Sequence, residues 1–158
     1  MFVGEELMVV PPDEGFVVKD HFCPGIVSCG VSIAHLSDHP EMQSSLFSRT
    51  ERVEGGCIRL HHLRGEDSTR DADIVTRLTP LHIVTFCELH TAMRMMHQTD
   101  RLDMMLLCYV SSEVRRGERR EWWVTATYVR SCVGWYVCAD YLSLNLYRGW
   151  GSRFVLSH

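Results

Sequence analysis

The sequence has almost no lysine: among its 16 Lys and Arg residues, only Lys19 is lysine. This arginine bias is typical of GC-rich coding sequences, including those of compact viral genomes. The formal net charge of −4 gives no general signal for nucleic acid binding, because a nucleic acid partner requires a basic surface. We therefore do not expect a nucleic acid partner.

Long apolar runs and a secretory signal are also lacking. A membrane helix needs about 18 consecutive apolar residues, whereas the run from Leu7 to Val10 stops at Pro11. The residues before Leu7 contain no basic segment of the kind that opens a signal peptide. The sequence therefore predicts a protein of the cytoplasm or nucleus that is neither secreted nor bound to a membrane.

The cysteine spacing does not indicate a disulfide framework. Seven are scattered along the chain, an odd number without a paired spacing. In a protein that is not secreted, this pattern predicts reduced thiols, and cysteine is usually buried. We therefore expect mostly buried, unpaired cysteines at positions 23, 29, 57, 87, 108, 132 and 138.

The composition predicts one packed domain. A length of 158 residues fits one core, and a hydrophobic fraction of 46% with four Trp is too high for a disordered chain. We interpret residues 1–158 as a single domain, with a strand core over 1–90 and a β-rich extension over 91–158.

The first ninety residues predict a series of short strands. Cys57 to Leu63 alternates apolar and polar residues with period two, which is typical of a half-buried strand. Pro11-Pro12 predicts a turn, and β-branched residues favour strands elsewhere. The further predicted strands are Leu7–Val10, Phe16–Val18, Ile26–Leu36, Ile74–Thr76 and Leu81–Phe86.

The remaining residues predict one short helix and more strands. Met and Leu residues between Glu88 and Val110 can form a helical stripe, and we predict a helix there, followed by a strand over Met104–Val110. Arg115 to Arg120 is a charged turn. Glu121–Val129 and Gly134–Leu146 are rich in Trp, Tyr and Val and predict strands of an appended β-hairpin layer.

Three of these segments resemble the dUTPase family. Pro11-Pro12 is similar to that family's Pro-Pro turn, and Cys29 to Ala34 resembles its T-G-[IL]-x-[IV]-x strand. Leu78 to Phe86 lies where the family has its G-D-R-[IL]-A-Q-[LI] strand. The resemblance covers about half of the chain and implies an all-β fold, a dUTPase-like jelly roll with a C-terminal β-hairpin extension and one short helix.

The sequence departs from the dUTPase family at the segments that bind substrate and metal in that family. The family's carboxylate-bearing A-G-Y-D segment has no counterpart before Leu7, and Gln43-Ser44-Ser45 has Gln where the phosphate-binding R-S-S segment has Arg. Residues 46–55 contain no Tyr for the uracil-holding hairpin. We therefore predict no catalytic residues and no cofactor.

A retained scaffold without its chemistry resembles the dUTPase-related proteins of herpesviruses and the dUTPase-derived early proteins of adenoviruses. That resemblance implies a viral protein that binds another protein, such as a host regulatory factor, in the host cytoplasm or nucleus. Two alternatives stay open. One is a divergent dUTP pyrophosphatase completed by Arg148–Ser152 and a neighbouring subunit. The other is a structural subunit of a large assembly; a homo-oligomer is compatible with each reading.

Metal and nucleophile sites can be drawn from several residues, yet each set is incomplete. Five residues lie between Cys23 and Cys29, which is too wide a spacing for the close ligand pair of a zinc site. His35 and His39 follow them in the sequence. Cys87 and His90 have no second pair, and the acidic stretches 66–67 and 71–73 lack the spacing of a calcium loop. We predict no metal site and no cysteine nucleophile.

Partner binding is predicted around Trp122 and Trp123. Adjacent residues of a strand point to opposite faces, so one Trp should be buried and the other can be exposed. An exposed Trp beside Arg119 and Arg120 is a typical interface anchor. The sequence therefore predicts these four residues as the partner-binding surface. By the same rule, His61 and His62 should lie on opposite faces.

Overall fold

The computed structural model describes residues 2–37, 40–64, 69–142, 147–148 and 152–158, with the backbone alone at 114, 115, 147 and 148. Strands form 51% and helices 24% of these described residues, so the prediction of a β-rich fold is confirmed, and the helical part exceeds one short helix. Within the described residues, the helices are α1 (Val18–His21), α2 (Pro40–Ser45), α3 (Asp71–Leu78) and α4 (Phe86–Gln98). The strands are β1 (Phe2–Val10), β2 (Asp13–Val17), β3 (Val27–Ser28), β4 (Val31–Leu36), β5 (Thr50–Val53), β6 (Gly56–Leu63), β7 (Thr69–Arg70), β8 (Met105–Arg115), β9 (Glu118–Val129), β10 (Gly134–Tyr141), β11 (Tyr147–Arg148) and β12 (Arg153–Ser157).

Eight of these strands form one mixed sheet in the order β1-β6-β12-β8-β9-β10-β4-β3. Its neighbours are antiparallel except for β12 with β8 and β10 with β4, which are parallel. Strands β8, β9, β10 and β12 therefore lie between strands of the N-terminal half. The expected C-terminal β-hairpin extension is corrected accordingly: the C-terminal strands are inner strands of the main sheet, because their apolar side chains build its core.

Helix α4 covers one face of the sheet. Its buried side chains include Leu89, Met93 and Met96, which pack in the larger core cluster with residues of β4, β6, β8, β9 and β10. The helix begins with a capping box in which the Thr85 side chain accepts from the Glu88 N–H and the Glu88 carboxylate accepts from the Thr85 N–H. This cap fixes where the chain leaves the loop and crosses the sheet.

Helix α3 covers part of the opposite face. Ile74 and Leu78 are buried against a smaller cluster that includes Leu63, Leu107 and Val155. Alternate residues of an inner strand thus enter different clusters, as the period of a strand requires. Leu106 belongs to the larger cluster and Leu107 to the smaller one.

Two predicted strands are wrong. Ile74–Thr76 lies in α3, because Asp71 and Asp73 stand in the first turn of a helix that buries an apolar stripe against the sheet. Most of Leu81–Phe86 is a loop with one isolated bridge at Ile83, and the Thr85 cap then starts α4. The segment likened to a dUTPase strand is therefore not a strand here.

Other predicted elements are confirmed. Cys57–Leu63 lies within β6, and the ambiguous stretch after Glu88 resolves into α4 followed by β8. Glu121–Val129 lies within β9, and Pro11-Pro12 forms the turn from β1 to β2. Where the period-two pattern or the turn residues were clear, the local structure follows them.

Some predictions fall outside the described residues. These are the end of the strand predicted over Gly134–Leu146, of which β10 covers the described part to Tyr141, and positions 149–151 of the tail Arg148–Ser152. The same holds for position 39 of the first metal set and for the acidic pair at 66–67.

Gly134→Ala should lower the free energy of unfolding by about 1–3 kcal/mol, because overpacking at a closely approached backbone forces a shift. A Cβ at Gly134 would lie 2.9 Å from the Ala34 Cβ and 3.1 Å from the Ser32 carbonyl oxygen, where β10 runs parallel to β4. Chemical denaturation followed by Trp fluorescence would measure the change. Gly15→Ala is the control, since its Cβ would meet nothing within 4 Å; equal losses in the two variants would contradict the prediction.

Candidate functional site

The two adjacent Trp residues lie on opposite faces of the sheet, as predicted. Trp122 is fully buried in the larger core cluster, and its Nε1 donates to the Ser112 Oγ at 2.8 Å. A partner cannot contact Trp122 from solvent in this structure. The proposed role of Trp122 as an interface anchor is therefore corrected: its large apolar ring is used for the core.

Trp123 is half-buried on the other face. It packs at the margin of the smaller cluster with Leu142, opposite Tyr109 on β8. Part of its ring thus stabilises the fold and part remains accessible. Trp123 stays a predicted contact residue, with less exposed surface than a free interface anchor would have.

Arg119 and Arg120 lie near the turn between β8 and β9. Arg119 is exposed, and the Arg120 guanidinium carbon lies 4.0 Å from the centre of the Tyr141 ring. Both arginines line an open depression of about 430 Å³ together with Glu121, Tyr141 and Leu142. These five residues are called the hairpin surface below. It combines stacked aromatic and guanidinium groups with an apolar side chain.

Carboxylates near Arg120 hold it loosely. Its Nη1 lies 3.8 Å from the Glu41 Oε2, and its Nη2 lies 4.0 Å from the Glu118 Oε1. Both distances exceed hydrogen-bond length, and the side chains are more than a third exposed. Such contacts contribute little to stability, so Arg120 can exchange them for a partner.

Among the residues that the structure describes, no group of three or more His, Cys, Asp and Glu side chains is placed to hold a metal ion. Cys87 and His90 both belong to α4 and are buried. Position 39 is outside the described residues, so the set with Cys23, Cys29 and His35 is not described in full.

The cysteines differ from the expected pattern in their burial. Cys87 and Cys108 are buried, whereas Cys29, Cys57 and Cys132 are exposed, so the expectation of mostly buried thiols is wrong. The pKa of Cys87 is raised to about 12, mainly by burial and also by the nearby carboxylates of Asp13 and Glu51. The pKa of Cys108 is raised by burial as well. These two thiols are poor nucleophiles because the thiolate is the reactive form.

A buried carboxylate occupies the start of α4. The Glu51 Oε1 accepts from the Cys87 N–H at 2.8 Å, and its Oε2 accepts from the Phe86 N–H at 3.1 Å. Arg49 pairs with the same carboxylate at 2.6 Å. A helix start attracts anions, and here the chain's own Glu51 and Glu88 satisfy it. This end of the helix is therefore a structural junction.

A second cluster has the order of a hydrolase triad. The His61 Nε2 and the Ser157 Oγ are 2.8 Å apart, and the His61 Nδ1 lies 3.6 Å from the Glu5 Oε2. Cross-strand pairing creates this row, since His61 lies opposite Glu5 on β1 and opposite Val155 on β12. However, Ser157 is only 2% exposed, and a nucleophile must reach its substrate. Burial lowers the pKa of His61, so we interpret the row as a neutral structural hydrogen bond.

Two of the most exposed apolar side chains among the described residues lie on β1, the strand at one end of the main sheet. In β1, Leu7 is 64% exposed and Val9 is 73% exposed, whereas Met8 and Val10 are buried. A groove of about 350 Å³ runs between this strand and α4. The sequence showed a four-residue apolar run here, and such a run in a strand places apolar side chains on both faces. Its position at the sheet edge depends on long-range pairing.

Comparison of the chain with protein-family models, curated proteins and solved structures finds no match. Among the described residues, none of the helices has both the length and the apolar character needed to cross a membrane.

Proposed function

We propose that this chain is a non-catalytic module that acts by binding another protein through its hairpin surface. The observation that supports the proposal most directly is the stacking of Arg120 on Tyr141 at 4.0 Å beside the exposed Arg119. Arg and Tyr are enriched among residues that dominate binding energies. A guanidinium held flat on a ring also has less conformational freedom to lose when a partner docks.

The charge of this surface indicates the chemistry of the partner. The hairpin surface has two guanidinium groups and one carboxylate, that of Glu121, so it carries a net positive charge on a chain whose formal net charge is −4. An acidic segment of a partner would find bidentate donors in Arg119 and Arg120. Tyr141 and Leu142 supply apolar contact area in the same depression. The partner that fits best is thus a protein with an acidic patch around an apolar side chain.

We propose a viral protein on a dUTPase-like jelly roll that binds a host regulatory factor in the cytoplasm or nucleus. Its support is the sequence around Pro11-Pro12 and Cys29 to Ala34, together with Gln43 where the family has its phosphate-binding Arg. The same departures favour binding over catalysis.

Arg119→Glu combined with Arg120→Glu should abolish capture of a partner. Tagged wild-type protein, added to an extract with a reversible cross-linker, should enrich a protein that the double variant fails to enrich by at least tenfold, because two attractive charges become repulsive. Quantitative mass spectrometry measures the ratio. The control is Arg52→Glu combined with Arg130→Glu, which reverses two exposed arginines elsewhere. Equal losses in both double variants would refute the assignment of the surface.

Catalysis is tested separately. The purified chain is incubated with dUTP and magnesium, and pyrophosphate release is measured beside a thermal-shift titration. We expect neither turnover nor stabilisation, whereas a bound nucleotide at 100 times its Kd would add about 2.7 kcal/mol. Hydrolysis of dUTP above the buffer rate would refute the non-catalytic proposal.

A further inference from the structure

Strand β1 is the outermost strand at one end of the main sheet. It pairs with β6 on one side, and among the described strands none lies on its other side. Half of the backbone N–H and C=O groups of such a strand point away from the sheet. They form a ready template for one more strand.

The side chains of β1 divide the strand into two parts. Glu5 and Glu6 lie in its first part, and an irregularity in pairing lies between Phe2 and Gly4. Charges and irregular pairing are devices that protect sheet edges from further pairing. The second part, from Leu7 to Val10, carries four apolar residues and has neither device. It ends at Pro11, which has no N–H to donate.

The exposed and buried residues of this second part alternate. Leu7 and Val9 point to the face that carries Cys57 and Arg59, their partners on β6. Met8 and Val10 point to the face covered by α4 and are buried there. A strand added beside β1 would therefore contact Leu7 and Val9 on one face and the groove on the other.

The groove is shaped for an added strand. It is lined by Leu7, Met8, Val9 and Pro11 of β1 and its turn and by Thr91, Arg94, Met95 and Gln98 of α4. Thr91 and Gln98 are two turns apart, about 10 Å along the helix axis. That length matches about three residues of extended chain.

We propose that this edge binds a second copy of the chain, with the two β1 strands antiparallel and Met8 opposite Met8 of the second copy. This arrangement is a two-fold, isologous interface, the commonest kind in homo-oligomers. It leaves α4 of both copies on the same face of one continuous sheet. It also uses a surface separate from the hairpin surface, so it stands independently of the proposed function.

The register follows from the side chains. With Met8 at the two-fold axis, Leu7 lies opposite Val9 of the second copy, and Val9 lies opposite its Leu7. Directly opposite residues of an antiparallel pair share a face, so the two most exposed apolar residues of β1 cover each other. Glu6 lies opposite Val10 and can keep its ion pair with Arg101, which measures 2.5 Å.

The neighbouring symmetric registers are less favourable. The register centred on Met8 pairs Glu6 to Val10 of one copy with Val10 to Glu6 of the other, so one carboxylate of each copy lies within the paired stretch. With Leu7 at the axis, Glu6 would lie opposite Met8 and Glu5 opposite Val9, so two carboxylates of each copy would lie within it. Removing charged groups from water is costly even when they are paired, as Glu5 is with Arg59 and Glu6 with Arg101. With Val9 at the axis, Leu7 would lie opposite Pro11, which has no N–H to donate.

The dimer is tested by size-exclusion chromatography with light scattering over a range of concentrations. The wild-type chain should be dimeric at high micromolar concentrations. Val9→Lys should raise the dissociation constant by about a hundredfold or more, because each interface receives two lysines, residues that natural edges use against pairing. Its circular dichroism should be unchanged, since Val9 is 73% exposed.

Val27→Lys is the matched control. Val27 is 68% exposed and lies on β3, the strand at the other end of the same sheet. This variant should remain as dimeric as the wild type. A wild-type chain that is monomeric at all concentrations up to about 1 mM overturns the proposal. A dimer that persists in the Val9→Lys variant also overturns the proposal. This holds equally if the Val27→Lys variant is monomeric.

Cross-linking tests the register. In a Cys57→Ser background, which removes the thiol opposite Val9, Leu7→Cys combined with Val9→Cys should form covalent dimers upon mild oxidation. Leu7→Cys alone should do so at least tenfold more slowly, because the two Leu7 positions are diagonal in this register. The Cys57→Ser chain without the new cysteines is the control. Faster cross-linking by Leu7→Cys alone would overturn the Met8-centred register.

Discussion

Glu51→Ala is expected to lower the free energy of unfolding by about 3 kcal/mol, because it leaves two N–H groups at the start of α4 without their acceptor, which costs about 1–3 kcal/mol for each buried group, and removes the carboxylate partner of the partly exposed Arg49. Glu51 is 7% exposed and joins β5 to the start of α4. Its carboxylate accepts from the Phe86 and Cys87 N–H groups of α4 and from Arg49. In the Ala variant, all of these donors lose their acceptor at once.

A matched pair of variants separates this effect from the loss of any ion pair. The Glu5 Oε1 contacts the Arg59 Nη1 at 2.7 Å, close to the 2.6 Å of the Arg49 and Glu51 contact, but both side chains are nearly half exposed. Glu5→Ala should therefore cost about 0–1 kcal/mol. Urea denaturation followed by Trp fluorescence measures both variants. A Glu51→Ala loss below about 1 kcal/mol would show that the junction at the start of α4 is not stabilising.

The sequence predicted the fold where short-range signals sufficed. The alternation in Cys57–Leu63 defines β6, and the apolar residues after Glu88 define α4 and β8. The start of α4 was also readable, because Thr85 and Glu88 have the spacing of a capping box. The prediction of a strand over Leu81–Phe86 did not take this capping-box spacing into account. Asp71 and Asp73 likewise marked a helix start ahead of the β-branched residues of α3.

Strand order was beyond the sequence because it depends on contacts between distant residues. β12 lies between β6 and β8, although about ninety residues separate β12 from β6 in the chain. For the same reason, the sequence could place Trp122 and Trp123 on opposite faces but could not say which face is the core. Likewise, the pattern of Leu7–Val10 indicated a strand but not that this strand lies at an edge.

Acid should destabilise the fold through His90. Its ring is nearly fully buried among Phe16, Phe22 and His21, at 5.8, 5.9 and 5.0 Å between centroids. The pKa of His90 is lowered to about 4, mainly by burial and also by the charges of His21 and Arg94. An unfolded chain has a His pKa of about 6.5. Between these two values, the unfolded chain binds a proton that the folded chain does not.

This difference in proton binding sets the direction in which pH changes the stability. The free energy of unfolding should fall as the pH decreases from about 7 to 4, and the share from His90 is about 3 kcal/mol, since each unit of pKa difference is worth about 1.4 kcal/mol. Burial also lowers the pKa values of His61 and His97, which act in the same direction. Carboxylates contribute their own acid sensitivity, so the His90 share has to be isolated by substitution.

His90→Phe isolates that share because it keeps an aromatic ring in the cluster and removes the titrating group. Urea denaturation at pH 7, 6, 5 and 4 should show that the variant loses about 3 kcal/mol less than the wild type over this range. His35→Phe is the control, since His35 is exposed, and its pH profile should follow the wild type. Parallel profiles of His90→Phe and wild type would mean that His90 becomes protonated in the folded state near its ordinary pKa. The aromatic cluster would then have to open to water, and the packing of α1 against α4 would be looser than these ring contacts require.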